Sequence, residues 1–394
     1  MTLQARTAEL FQVCTSQLCA DHPHAQFHGP LASSELARAC LTGQLGGATT
    51  VRLRLYRFTL THIDSKGGFT KAELMRRAAH RSRLRAATGF SSSEAGPRLR
   101  SGQAKYLMEL AIGTPPVPFV ALFDTGSDLT WTQCQPCKLC FPQDTPVYDP
   151  TASSSFSPLT CSSDACLPVW SRGCAPSSLC GYRYAYGDGS HSAGVLGTET
   201  LTFGSGPGQV LAAFAGAVAF GCGRDNGGDW YNSTGLVGFG RGSLSLVAQL
   251  GFGKFSYCLT DFFNTSLGSH VSFGSLAELA HGGGGGAAVQ STPLVQSPQS
   301  PSRYSVSLEG ISLGDARLPI PNQTFELRAD GTGGMIVDSG TIFTVLVESA
   351  FRVVANHVAE VLAKPALNTT SLESPCFPAP VGERWCCTSP AVRI

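Results

Sequence analysis

Apolar and polar residues alternate in short runs through most of this chain, and Gly, Pro, Asn, Asp and Ser separate the runs. Val51-Arg52-Leu53-Arg54-Leu55 alternates and Phe58-Thr59-Leu60-Thr61-His62 continues the pattern, which predicts a strand. Tyr106-Leu107-Met108-Glu109-Leu110-Ala111-Ile112 alternates into the turn Gly113-Thr114-Pro115, and a second apolar run then ends on Asp124. Tyr182-Arg183-Tyr184-Ala185-Tyr186 and residues 194–203 flank the turn Gly187-Asp188-Gly189, the pattern of a β-hairpin. Residues 217–223, 235–238 and 304–314 read as further strands.

Three stretches read as helix instead. Thr70-Lys71-Ala72-Glu73 is a capping box that opens a basic helix running to about residue 87. Residues 243–250 predict a short helix and residues 349–362 an amphipathic one. Residues 1–50 show no clear period, and no continuous apolar segment follows Met1, so they stay unassigned and no signal peptide is visible. The longest apolar run, residues 210–220, falls short of the roughly 18 residues of a membrane span. The class is therefore all-β.

Composition sharpens this in two respects. Only 14% of residues are charged and the net charge is +1, which gives no general basis for a nucleic-acid partner, although the helix near residue 80 is locally basic. Fifteen cysteines, with seven between 134 and 180, fit oxidised pairs in a secreted or lumenal protein. Cys134-x-x-Cys137-x-x-Cys140 has zinc-like spacing too, but no His lies near it; the pairing cannot be read from spacing, and the odd total leaves at least one thiol unpaired within the chain. Sequons at Asn232, Asn264, Asn322 and Asn368 agree with secretion as a glycoprotein.

The candidate chemistry lies in two matching stretches. Ala121-Leu122-Phe123-Asp124-Thr125-Gly126-Ser127 delivers an acid at a strand end, into a turn that Gly126 permits and hydroxyls surround. Met335-Ile336-Val337-Asp338-Ser339-Gly340-Thr341 repeats the apolar run, the acid, the small hydroxyl residue, the Gly and the second hydroxyl. Asp-x-Gly alone is ordinary turn chemistry; two copies suggest two halves, each contributing one acid. Two carboxylates held together cannot both ionise cheaply, so the pair shares one proton and offers a base beside an acid. Such a pair can activate water for attack on an amide carbonyl without a metal or a covalent intermediate.

On these motifs the chain resembles the pepsin-like aspartic proteases, and within them the cysteine-rich plant branch typified by nepenthesins, over about residues 51–360. The resemblance implies a two-lobed fold with Asp124 and Asp338 as catalytic dyad and Thr125, Gly126, Ser127, Ser339, Gly340 and Thr341 as its support. It implies a flap with Tyr186, Gly187 and Asp188 over the substrate, Trp131 packed beside that flap, and residues 235–238 threading behind the first Asp turn. It implies a zymogen: residues 51–101 propeptide-like, 102–270 the N-terminal lobe with a cysteine-rich insertion, 271–394 the C-terminal lobe. The expected protein is a monomeric, acid-active endopeptidase on polypeptides, without cofactor, in the apoplast or vacuole. In one respect the pattern departs. Only 56 residues follow Asp338 and no second apolar-apolar-Gly strand occurs among them, so the second lobe is expected to be incomplete, with Cys222 and Cys258 short of partners. A catalytically inactive, protease-like binding or inhibitor protein, or a truncated product of a protease gene, is the alternative that this departure implies.

Overall fold

The computed structural model describes residues 55–65, 106–169, 178–186, 189–203, 217–228, 233–259, 269–277, 291–297, 300–313, 315–329, 331–340 and 344–362. Short pieces are also described at 12–14, 67–70, 73–74, 77, 173–174, 212–213, 230, 376–378, 384–386 and 392–393. Strands dominate, as the alternating runs predict.

One large mixed sheet carries most of the chain. Its central strands run, in spatial order, Phe255–Cys258, Ser269–Gly274, Leu55–His62, Tyr106–Ile112, Val117–Asp124, Gly235–Gly238, Trp131–Gln133, Val218–Gly227, His191–Glu199 and Cys180–Ala185. Both faces are covered around the middle of this sheet. Phe123 joins Met108, Leu110, Phe119, Phe239 and Phe273 on one face, while its neighbour Leu122 joins Trp131, Tyr182, Leu196 and Leu236 on the other. A strand buried on both faces cannot alternate, which is why residues 119–123 form a continuous apolar run.

Leu55–His62 lies inside the sheet, between Ser269–Gly274 and Tyr106–Ile112, with Leu60 fully buried. A segment that the resemblance makes propeptide-like is thus built into the fold. The capping box beyond it is formed: Thr70 N donates to Glu73 Oε2 at 2.8 Å and Glu73 N to Thr70 Oγ1 at 3.3 Å. Arg77 Nε reaches back to Asp64 Oδ1 at 2.8 Å, and its guanidinium lies 4.4 Å from the Phe69 ring centre. The remainder of the expected basic helix falls outside the described residues.

Four disulfides among the described residues order the cysteine-rich insertion: Cys134–Cys222, Cys137–Cys140, Cys161–Cys174 and Cys166–Cys180. All three sulfurs of the zinc-like spacing are therefore engaged in disulfides. The expectation for Cys222 and Cys258 is corrected: Cys222 pairs with Cys134, and Cys258 is disulfide-bonded as well. Adjacent strands Trp131–Gln133 and Val218–Gly227 place Thr132 opposite Cys222, which brings the neighbouring Cys134 within reach.

A buried carboxylate pins the insertion to the sheet. Glu199, at the end of the His191–Glu199 strand, accepts from Tyr148 Oη, Ser153 Oγ (2.7 Å), Ser155 Oγ and Thr200 N (2.6 Å). Burial and this carboxylate push the Tyr148 phenol above its ordinary value, so its hydroxyl stays a donor. Glu199→Ala leaves these donors without their acceptor and is expected to destabilise the fold by about 1–3 kcal/mol, read as a lower urea midpoint. An unchanged midpoint would mean that the insertion is held by its disulfides alone.

The later part of the chain forms a smaller body. Leu294–Val295, Ser305–Val306 and Met335–Ile336 make a three-stranded sheet. The strand expected over 304–314 is broken into Ser305–Val306 and Ser312–Leu313, because Leu308 and Ile311 between them turn into a separate apolar cluster. The helix Glu348–Leu362 closes that cluster with Ala350, Val354 and Val358, one residue per turn on one face.

Candidate active site

The two acids predicted from the repeated motif arrive at one place. Asp124 ends the strand Val117–Asp124, whose last four residues are all buried, and Gly235–Gly238 runs parallel to it with Gly238 opposite Asp124. Phe239 N donates to Asp124 O at 2.7 Å and Gly240 N to Ser127 O at 2.8 Å, so the expected threading strand fixes the backbone of the turn on both sides. Gly126 N donates to Asp124 Oδ1 at 3.1 Å, and Ser127 Oγ donates to Asp124 Oδ2. In the echo, Gly340 N donates to Asp338 Oδ1 at 2.9 Å.

Reciprocal hydrogen bonds tie the turns together. Thr125 N donates to Ser339 Oγ at 3.0 Å, and Ser339 N to Thr125 Oγ1 at 2.8 Å. A Cβ added at Gly126 would lie 2.8 Å from Asp338 Oδ1 and 3.2 Å from Asp124 Oδ1. Both carboxylates thus share the space above one glycine, and any larger residue there would push into them. The surroundings differ. Asp124 is fully buried and Asp338 only partly so, because Met335–Ile336 is the edge strand of its small sheet and Ile336 is 40% exposed.

Tyr186 closes the hairpin strand Cys180–Ala185 and is buried, with its Oη accepting from Trp131 Nε1 at 2.6 Å. Burial first, then neighbouring Tyr182 and Asp124, hold its phenol well above the ordinary value, so the hydroxyl stays neutral. Gly187, Asp188 and Thr341 lie outside the described residues.

Two further residues belong to the site and went unremarked in the sequence. Trp230 stands edge-on to Trp131 at 4.8 Å and to Tyr186 at 5.2 Å between ring centres, and stacks on Phe141 at 5.7 Å. It arrives from between two glycine-rich stretches, where no periodicity marks it. Asp128, next after the first motif, is buried at 8% exposure; its Oδ1 accepts from Gly242 N at 2.9 Å and its carboxylate from the Ser302 hydroxyl. A Cβ at Gly240 or Gly242 would overlap that carboxylate, and one at Gly238 would overlap the Asp128 backbone. The alternation Gly238-Phe239-Gly240-Arg241-Gly242 is the imprint of Asp128, visible in sequence only as small residues.

Ser302 belongs to the later part of the chain, and its carbonyl accepts from Arg241 N at 2.9 Å while Tyr304 Oη donates to Phe239 O at 2.7 Å. Asp128 therefore sits where the first turn, its threading strand and the second half meet. Burial pushes its carboxyl above the usual carboxylate range, against the smaller opposing effect of its two hydrogen bonds. A raised folded value means the native chain holds a proton that the unfolded chain has lost. Stability from this group is thus complete below the ordinary carboxylate value and declines as pH rises through the folded one. Asp128→Asn is expected to flatten that decline: its melting temperature should fall less than wild type between pH 4 and pH 7, and parallel curves would refute the assignment.

The comparisons with known proteins agree with this geometry. Residues 106–275 match the family model described as xylanase inhibitor N-terminal, and residues 303–394 the one described as xylanase inhibitor C-terminal. Aspartic proteinase nepenthesin-1 of Nepenthes gracilis is 43% identical over 80% of this chain and 70% of its own length. Nepenthesin-2 of the same plant is 42% identical over 82% and 72%. Conglutin gamma, a basic 7S globulin from lupine seeds, shares the fold at a TM-score of 0.52 with 16% identity, over 86% of this chain and 84% of its own. With its paired Asp turns and these relatives, the chain belongs to the pepsin-like plant aspartic protease family, of the nepenthesin type.

Proposed function

We propose that the protein is an aspartic endopeptidase that hydrolyses polypeptides at acidic pH with Asp124 and Asp338 as its dyad. The observation that carries this reading is the convergence of both carboxylates over Gly126, held by the reciprocal Thr125 and Ser339 bonds. With one proton shared between them, the ionised acid takes a proton from water as the water oxygen bonds to the carbonyl carbon. The protonated acid gives its proton to the carbonyl oxygen, so the intermediate is a neutral diol. On collapse one diol hydroxyl returns its proton to the dyad, the nitrogen receives a proton as the C–N bond breaks, and the shared proton is restored.

Neutral Tyr186, held by Trp131, covers the cleft as part of the flap, and the aromatic group of Trp131, Trp230 and Phe141 behind it favours apolar residues beside the scissile bond. Residues 51–101 are read as the propeptide, and the route as secretory, to the apoplast or vacuole. A protease-like inhibitor is the competing reading, supported by the description of both matching family models. The presence of both acids in paired turns favours the enzyme. Incubating the purified full chain with a denatured protein substrate across pH 3 to 7 tests this: cleavage confined to the acidic side is expected, and folded protein with no cleavage at any pH would transfer the case to the binding reading.

A further inference from the structure

The proposed hydrolysis makes no use of the four sequons, and the structure separates them. Asn264 and Asn368 lie outside the described residues, and so does Asn232. The two residues that complete the Asn232 sequon belong to the interior. Ser233 is fully buried with its hydroxyl donating to Trp230 O at 2.7 Å, and Thr234, also buried, donates from Oγ1 to Val120 O at 3.2 Å. Asn322-Gln323-Thr324 is the contrasting case, because its asparagine stands in water.

The residues around it explain why. Leu318 and Ile320 are buried in the cluster that the helix Glu348–Leu362 closes, whereas Pro319 and Pro321 alternate with them and are exposed. Phe325 returns the chain to the same cluster. Between Ile320 and Phe325 the backbone makes a single tight helical turn, Asn322–Phe325, in which Thr324 N donates to Pro321 O at 3.0 Å. Two apolar anchors on either side of one turn therefore hold Pro321, Asn322 and Gln323 outward, and all three are exposed.

The side chain of Asn322 is oriented as well as exposed. Arg317 Nη2 donates to Asn322 Oδ1 at 3.3 Å, and the same nitrogen donates to Glu309 O. A guanidinium has donors only, so the amide turns its oxygen to Arg317 and its nitrogen, Nδ2, away. Arg317 is itself held in place: its guanidinium lies across Gly310, where an added Cβ would come within 2.6 Å of Nη2. Nδ2 is the atom to which an N-linked sugar is attached, and substitution there leaves the bond from Arg317 to Oδ1 intact.

We propose that Asn322 is an N-glycosylation site, at which the chain carries an oligosaccharide on Nδ2. The inference rests on the secretory route proposed above. Its donor is an oligosaccharide joined through its anomeric carbon to a lipid diphosphate. Nδ2 bonds to that carbon as the bond from the carbon to the diphosphate oxygen breaks. The bonding pair leaves with the lipid diphosphate, and Nδ2 gives up one proton to a base of the transferring enzyme. Because the turn is anchored from below by Ile320 and Phe325, a bulky sugar on its outer side displaces nothing from the core. Neither Asp124 nor Asp338 belongs to this turn, so its occupancy is separable from hydrolysis.

The test is peptide mapping of the full chain secreted from plant cells behind an added signal peptide. Enzymatic release of N-glycans in heavy-oxygen water is expected to leave a heavy-oxygen aspartate in place of Asn322. Asn322→Gln and Thr324→Ala should each remove the mass of one glycan from the intact protein, while Thr324→Ser, which keeps the hydroxyl of the sequon, should retain it. Thr324→Ser keeps the comparison informative if either of the other variants fails to fold. A bare Asn322 in the exported chain would overturn the proposal, and so would a glycan that persists on Asn322 in Thr324→Ala. Localising the native protein in its own tissue with an antibody decides the route separately: cytosolic protein refutes the secretory route, whereas a bare Asn322 in exported protein refutes the site itself.

Discussion

Replacing Asp124 by Asn is expected to lower acid-pH peptide hydrolysis by about 10²–10⁴-fold, the range for loss of a positioned general base, while the fold survives. The substitution is nearly isosteric, and the amide oxygen can still accept from Gly126 N, so the turn keeps its main internal bond. Ser127 Oγ can rotate to accept from the new amide rather than donate to a carboxylate. The reciprocal Thr125 and Ser339 bonds do not involve the carboxylate and should persist. What is lost is the capacity to take a proton from water, since an amide is not basic in this range. The measurement is the rate of cleavage of a denatured protein, with melting temperature as control. A variant that cleaves as fast as wild type would remove Asp124 from the chemistry, whereas one that melts many degrees lower would show that the carboxylate holds the turn together.

Removing the Cys134–Cys222 disulfide with serines at both positions is expected to cost about 4–5 kcal/mol, the largest effect on stability among these substitutions. The two cysteines are 88 residues apart and both are fully buried. In the chain-entropy account a link across that length restricts the unfolded chain by about that amount, a large part of the roughly 5–15 kcal/mol that keeps a typical domain folded. Two buried serine hydroxyls would add to the loss unless each finds a partner. Removing Cys137–Cys140, only three residues apart, should cost much less by the same account. Urea midpoints for the two double variants decide the matter: the opposite order would mean that closure of the long loop is not what stabilises the insertion.

The sequence by itself determined the strand-rich class, the repeated Asp turn and the family. Alternation is a local property, and the two copies of the motif can be matched by eye without knowing where either lies in space. Tyr186 and Trp131 were legible on the resemblance, and the helices began within a few residues of where capping and period placed them, at Leu246 and Glu348. Long-range register was not legible. Only tertiary structure brought Asp338 over Gly126, 212 positions earlier in the chain, inserted Leu55–His62 into the sheet, and paired Cys134 with Cys222. Trp230 and Asp128 were invisible for the same reason. An isolated aromatic or acid has no period, and its role arises from neighbours contributed by distant strands.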